Sequence, residues 1–349
     1  MSIGTFFLIL ALSTQAPGQP SAEVGSGARK FLSTWAGFSE AKLANVDRGN
    51  PEGSVFESKI GTEMAPFGAI RVRVSEEYFL RRYRDIADFK KAKEVVQVGR
   101  FSSPPRIEDL AGLALEPGEL EALRKCRPGD CAIKMSDQMI RGMHDSVDWK
   151  ASNSSARAAE SFRRLLLDYV KDYLARGRPA LMEYHSRNNP VRLREQTDSI
   201  LADSASLRER FPELARYLDT FPSGAPPNTE DFVYWSKEAF GFKPVVSVTH
   251  AVIYRPRPGT AVIASRQLYA THYFIGSLGL AEFEESDPAG AGAYVMYLNR
   301  TRVDLLGGFF GPLIRRIVRR RVQEGMERNL RLVKERLESG YRAEQAERR

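Results

Sequence analysis

The residues best suited to chemistry stand late in the chain. Gln267, Tyr269, Thr271 and Tyr273 alternate with Leu268, Ala270, His272 and Phe274. In a strand, alternate side chains face opposite sides. One side would then show an amide and hydroxyls between aromatic rings, a lining that suits a ligand pocket. It equally suits a solvated strand face whose rings pack on cross-strand partners. His272 belongs to the other side, among apolar neighbours. His250 alternates in the same way with Val246, Val248, Val252 and Tyr254. A histidine on an apolar face is either a satisfied core residue or, where two such rings meet in one cavity, a general acid and base or a head-group ligand.

Arg300, Arg302 and Asp304 share a face by the same alternation. They read as a strand-edge ion ladder, worth little if exposed, or as an anion-binding rim at a pocket mouth. His144-Asp145, with Asp148 nearby, reads as a helix or loop end. Alternation sorts the strand residues into two sets, Tyr269, Thr271 and Tyr273 or His250, His272 and Arg302, of which one is expected to line a pocket. Tyr269 and His272 share a side only if a bulge intervenes near Ala270.

Cys126 and Cys131 are the only cysteines and enclose Arg127-Pro128-Gly129-Asp130. Pro presets φ and Gly accepts φ > 0, so this is a turn that brings the two Cβ atoms together. A local structural disulfide is expected, with a reactive redox pair as the alternative. A metal site needs more Cys or His ligands at close spacing, and none stand there. Attachment of c-type haem needs a His after the second Cys, and residue 132 is Ala. No GxGxxG, Walker A, GxSxG or HExxH pattern occurs, so no cofactor or metal is expected.

The chain that must position these groups has 349 residues, 42% of them hydrophobic and 28% charged, with a formal net charge of +8. That composition is ordinary for a folded protein, and the charge favours anionic surfaces. Residues 6–12 form a short apolar run followed by small and polar residues. Its length suits the apolar segment of a signal peptide, and Ala16-Pro17-Gly18 offers small residues at a cut before Gln19, although no Lys or Arg precedes Arg29. Export to the periplasm or the extracellular space is expected, with residues 1–18 as signal peptide.

Residues 19–54, rich in small residues, are expected to be a low-order linker carrying one short helix near 28–44. From 55 to 340 a single α+β domain is expected. Ala69 to Val74 alternate apolar and basic, as a half-buried strand does. Ser75 caps a helix with Glu76 and Glu77 in its first turn. A second strand is predicted over 95–101. A largely helical insertion follows over about 105–240, with helices at 120–125, 155–176, 193–202, 212–220 and 229–240. In the clearest of these, Phe162, Leu165, Leu166, Tyr169, Val170 and Tyr173 form one apolar stripe. The last is expected to follow a cap at Asn228.

The period then changes to that of strands, over 244–254, 260–285 (one long strand or a hairpin) and 293–304, with turns at 256–259 and 287–290. Their closeness in sequence makes antiparallel pairing the economical topology. After Gly307-Gly308, Ile314, Val318, Val322, Met326, Leu330, Val333 and Leu337 mark a long amphipathic helix to about 339, with a polar tail over 341–349.

Two stretches carry a resemblance. Ile70-Arg71-Val72-Arg73-Val74-Ser75 running into Tyr83-Arg84-Asp85-Ile86-Ala87-Asp88-Phe89 looks like the first strand and short helix of the START-like helix-grip superfamily, which includes polyketide-cyclase-like and lipid-transfer proteins. Residues 294–337 resemble that superfamily's final strand, glycine turn and gripping helix. The chain also looks like a family of exported bacterial proteins that share a Cys-Arg-Pro-Gly-Asp-Cys motif.

The resemblance implies an antiparallel sheet gripped by a long C-terminal helix, here with a large helical insertion. It implies a binding protein for a hydrophobic or amphipathic, lipid-like small molecule held between the two. The alternatives are a cyclase- or hydratase-like enzyme using His272 or His250 with Tyr269, and a structural envelope protein.

The helix's arginines, Arg315, Arg316, Arg319, Arg320, Arg321, Arg328 and Arg331, make an anionic membrane surface a further partner. Glu324, Glu327, Glu335 and Glu338 interleave with them, and no nucleic-acid partner is expected.

Overall fold

The computed structural model describes residues 26–239, 243–286, 292–307 and 311–348. The signal-like run and its cut after Gly18, the turn at 287–290 and Gly308 lie outside them.

The chain opens with α1 (Ser26–Thr34), α2 (Glu40–Asp47), β1 (Glu52–Phe56) and β2 (Glu63–Val72). It continues through α3 (Glu76–Arg84), α4 (Ile86–Phe89) and β3 (Val95–Arg100). A helical stretch follows: α5 (Pro117–Lys125), α6 (Asp137–Ser146), α7 (Ser154–Arg176), the short pair β4 (Glu183–Tyr184) and β5 (Val191–Arg192), then α8 (Leu193–Ala202), α9 (Ala205–Arg210) and α10 (Pro212–Thr220). Long strands close the sheet: β6 (Thr229–Glu238), β7 (Val245–Arg257), β8 (Thr260–Ala270), β9 (Phe274–Glu285) and β10 (Ala293–Val303). The last helix is α11 (Gly311–Glu347).

The protein is α+β, built on an eight-stranded sheet ordered β1-β2-β10-β9-β8-β7-β6-β3. Every neighbouring pair is antiparallel. The central strands are buried on both faces, because helices cover each side. On one face lie α1, α2 and the helical stretch from α5 to α10, meeting Phe67, Trp235, Val248, Tyr269 and Met296. On the other lie α3, α4 and α11, meeting Ile70, Ile253, Ile263, Phe283 and Val295.

Local sequence explains the best-placed elements. The Ser75 side chain accepts from the Tyr78 N–H and caps α3 as expected. In α7 the stripe Phe162, Leu166, Tyr169, Val170 and Tyr173 is buried on the sheet, and Gly177 at φ +65° ends the helix. Cys126 and Cys131 are disulfide-bonded across their turn.

Three expectations need correction. Residues 229–238 form a strand, not a helix. Phe232 and Tyr234 face one side of the sheet while Val233 and Trp235 face the other, and Asn228 stands at φ +58°, a turn conformation, not a cap. The helical insertion therefore ends at Thr220. Residues 26–54, expected as low-order linker, hold α1, α2 and part of β1, with Leu32, Leu43 and Val46 fully buried. The C-terminal segment expected to be a tail continues α11 to Glu347, and Tyr341 packs on Tyr78 with ring centroids 5.0 Å apart.

Candidate ligand cavity between the sheet and the C-terminal helix

A cavity of about 600 Å³ lies between the sheet and α11. Side-chain size along the strands explains it. Near one end of the strands the face toward α11 carries Ile70, Ile253, Ile263, Phe283 and Val295, which pack directly on α3 and on Leu330 and Leu337 of α11. Further along, small or polar residues predominate on the same face: Ser247 and Thr249 on β7, Ser265 and Gln267 on β8, Ser277 and Gly279 on β9, and Asn299 and Thr301 on β10. Each strand contributes two of them, two residues apart, and the registers Ser265↔Gly279, Gly279↔Asn299 and Ser277↔Thr301 align them into a band. The short side chains do not reach the helix, and the gap is the cavity. Phe79, Tyr83, Phe89, Tyr234 and Tyr297 wall it, and Val322, Met326, Asn329, Leu330 and Val333 roof it.

The band is hydrogen-bonded within itself. Ser277 and Thr301 each place their hydroxyl 2.9 Å from Asn299 Oδ1 and 2.8 Å from one another. Tyr83 Oη lies 3.1 Å from Ser265 Oγ. Burial raises the phenols of Tyr83, Tyr234 and Tyr297 well above their ordinary range, so all three keep their protons. The charged residues in the lining are Lys90 and Glu238, an ion pair at 2.8 Å. Burial alone would raise the Glu238 carboxyl, but Lys90 and the Ser236 hydroxyl outweigh it and hold it below the usual range.

None of the six residues singled out from the sequence as ligand-binding lines this cavity; they face the helical layer or a strand end. His250 is fully buried, with Nδ1 2.9 Å from Tyr173 Oη and Nε2 3.4 Å from Asp231. Burial lowers its pKa against the pull of Asp231. Tyr269 donates to the Lys134 carbonyl at 2.9 Å, and Thr271 Oγ1 accepts from the Val246 N–H at 3.0 Å. Tyr273, at φ +58°, accepts from the Lys243 N–H. His272 is pushed down to about 4 by burial and the charge of Lys243. Arg302 bonds Glu63, Gln196 and Ser199. With Arg300, also on Glu63, and Asp304 on Lys134, it belongs to buried ion pairs and not to a pocket rim.

The separation of these residues from the cavity has a specific cause. Val248 pairs with Tyr269 but Thr249 pairs with Gln267, so Leu268 is an extra residue in β8. The bulge lies two residues from the position where the sequence calls for one, and it separates Gln267, which faces the cavity, from Tyr269, which does not. The residues that do build the cavity have a sequence signal of their own: paired small polar residues two apart in each of the strands from β7 to β10.

Among the described residues no group of three His, Cys, Asp or Glu is placed to hold a metal ion, and no helix is long and apolar enough to cross a membrane. Comparison with family models, with curated proteins and with solved structures finds no match.

Proposed function

We propose that the protein binds a hydrophobic or amphipathic small molecule between the sheet and α11, in the manner the helix-grip resemblance implies. The cavity itself carries this reading: about 600 Å³ is within the size range of small-molecule sites, and aromatic and aliphatic walls with a few aimed polar groups are their usual lining. An enzyme working through His250 or His272 with Tyr269 is the less favoured reading, because those rings stand away from the cavity.

The test is extraction of protein purified from its native host, followed by mass spectrometry. The expected result is one class of amphiphile at near-stoichiometric amount, lost in Ser265→Leu, which fills the cavity floor. Equal extracts from the two proteins would refute the reading.

The disulfide and the signal-like segment support a place outside the cytoplasm. The start of α11 supports exchange at an anionic membrane. Arg315, Arg316, Arg319, Arg320 and Arg321 stand there without an acidic residue between them, and Ile317 and Leu305 are more than half exposed. Co-sedimentation with phosphatidylglycerol vesicles but not phosphatidylcholine vesicles is the expected outcome. Arg319→Glu with Arg320→Glu should abolish it.

A further inference from the structure

The polar groups around Gly279 offer the cavity donors, and this points to the chemistry of the ligand. Ser277 and Thr301 occupy the Oδ1 of Asn299, which fixes the amide and leaves its Nδ2 engaged by no described residue. Gln267 is 7% exposed, and its Nε2 is buried without a hydrogen-bond partner. Tyr297 Oη also has no hydrogen-bond partner among the described residues. It sits 3.0 Å from the point where a Cβ on Gly279 would stand. Asn299 is the cross-strand partner of Gly279, and Gln267 and Tyr297 lie one step along the flanking strands. Gln267 lies in the row of Ser277 and Tyr297 in the row of Ala281, on opposite sides of Gly279, so the three donors are spread along the band and serve more than one ligand oxygen.

A buried donor without a partner is costly, and these residues sit where ligand oxygens would relieve that cost. The missing side chain of Gly279 makes room for the Tyr297 hydroxyl. The cavity offers no free charge in return, because Lys90 is paired with Glu238. A buried carboxylate or phosphate would lack a counter-ion and would be strongly disfavoured.

Resting on the binding reading above, we propose that the cavity selects an uncharged amphiphile bearing carbonyl or ether oxygens, which accept hydrogen bonds from Asn299 Nδ2, Gln267 Nε2 and Tyr297 Oη along the band.

The probe for the test is N-phenyl-1-naphthylamine, a neutral apolar fluorophore, displaced from the full chain by monolaurin or by laurate at pH 8. Monolaurin is expected to displace it at about tenfold lower concentration than laurate. Tyr297→Phe and Gln267→Leu are each expected to weaken monolaurin about tenfold relative to the fluorophore's own affinity measured in the same variant, the scale of one lost hydrogen bond at its upper end. Tyr297→Phe keeps the ring, so a folding defect does not confuse the result. If the fluorophore binds but laurate competes as well as monolaurin, or the two variants leave monolaurin unchanged, the inference falls and the binding reading stands. If the fluorophore binds wild type no better than Ser265→Leu, the binding reading falls and takes the inference with it.

Discussion

One face of the sheet is packed closely enough to leave only about 30 Å³ beneath α1 and α9, and the other, built from the same strands, holds a cavity of about 600 Å³. Both are covered by helices, so cover alone does not decide the outcome. On the filled face the strands present Trp235, Val248, Tyr269 and Met296 to the helical layer, where Tyr269 meets Phe162 and His250 meets Tyr173 of α7. Two of the polar groups caught there have close partners: Trp235 Nε1 donates to the Asp109 carbonyl at 2.9 Å, and buried Lys237 meets Glu119 at 2.6 Å. On the other face serine, threonine and glycine stand where the first face has rings and branched aliphatics. The comparison teaches that alternate positions in one strand can specify close packing and a binding site back to back, through side-chain volume.

The largest effect should come from emptying the filled face. Phe162 is fully buried, and Phe162→Ala should cost about 3–5 kcal/mol in denaturant unfolding. A loss below 1 kcal/mol would show that this face is not close-packed.

A matched pair on β8 sharpens the contrast. Ala264 faces the filled side and its neighbour Ser265 the cavity. Ala264→Leu should overpack and cost about 1–3 kcal/mol, whereas Ser265→Leu has space and should change stability by less than about 1 kcal/mol while removing ligand. Equal costs would mean that the cavity face is as tightly built as its opposite.

Next comes the disulfide, which closes a loop only five residues apart in sequence and lies away from the cavity. Replacing both cysteines by alanine should cost at most about 2 kcal/mol and leave fluorophore binding intact. Loss of binding would tie the turn to the cavity.

Much of this arrangement is legible along the chain, and the exceptions share a cause. The α7 stripe, the Ser75 cap and the late strands announce themselves by periodicity and capping, which are local. The segment 229–238 is not local in this sense. Its Phe-Val-Tyr-Trp run has no polar alternation because both faces of β6 are buried, so period alone does not separate strand from helix. The linker-like segment at 26–54 is tied down by distant contacts, such as the Ala28 N–H on Glu284. The bulge at Leu268 is the costliest omission, since one extra residue reverses which side of β8 each later residue faces. The cavity residues were readable in principle, as paired small polar positions repeated over neighbouring strands, but small polar residues also mark ordinary exposed strands.

The last effect is a slope with pH, and it comes from the filled side. Burial and Lys243 push His272 from the usual 6.5 down to about 4. A folded-state pKa below the unfolded value means that, between pH about 6.5 and about 4, the unfolded chain takes up a proton the native protein does not. Stability must therefore fall as pH falls through that window. His250, also lowered by burial, acts in the same direction. Glu282 opposes both: burial raises its carboxyl to about 7, so the native state takes up its proton first and gains stability as pH falls from about 7 toward 4.5. The net curve of wild type is a sum of opposing contributions, and the informative quantity is the difference between variants. His272→Asn removes one titrating ring and leaves Glu282 in place. Its melting temperature should decline less than that of wild type between pH 6.5 and 4, and the two curves should run parallel above pH 7. Curves parallel across the whole range would show that the ring is solvated enough to titrate normally. The filled face would then be open to water at the end of β8, next to the bulge that divides it from the cavity.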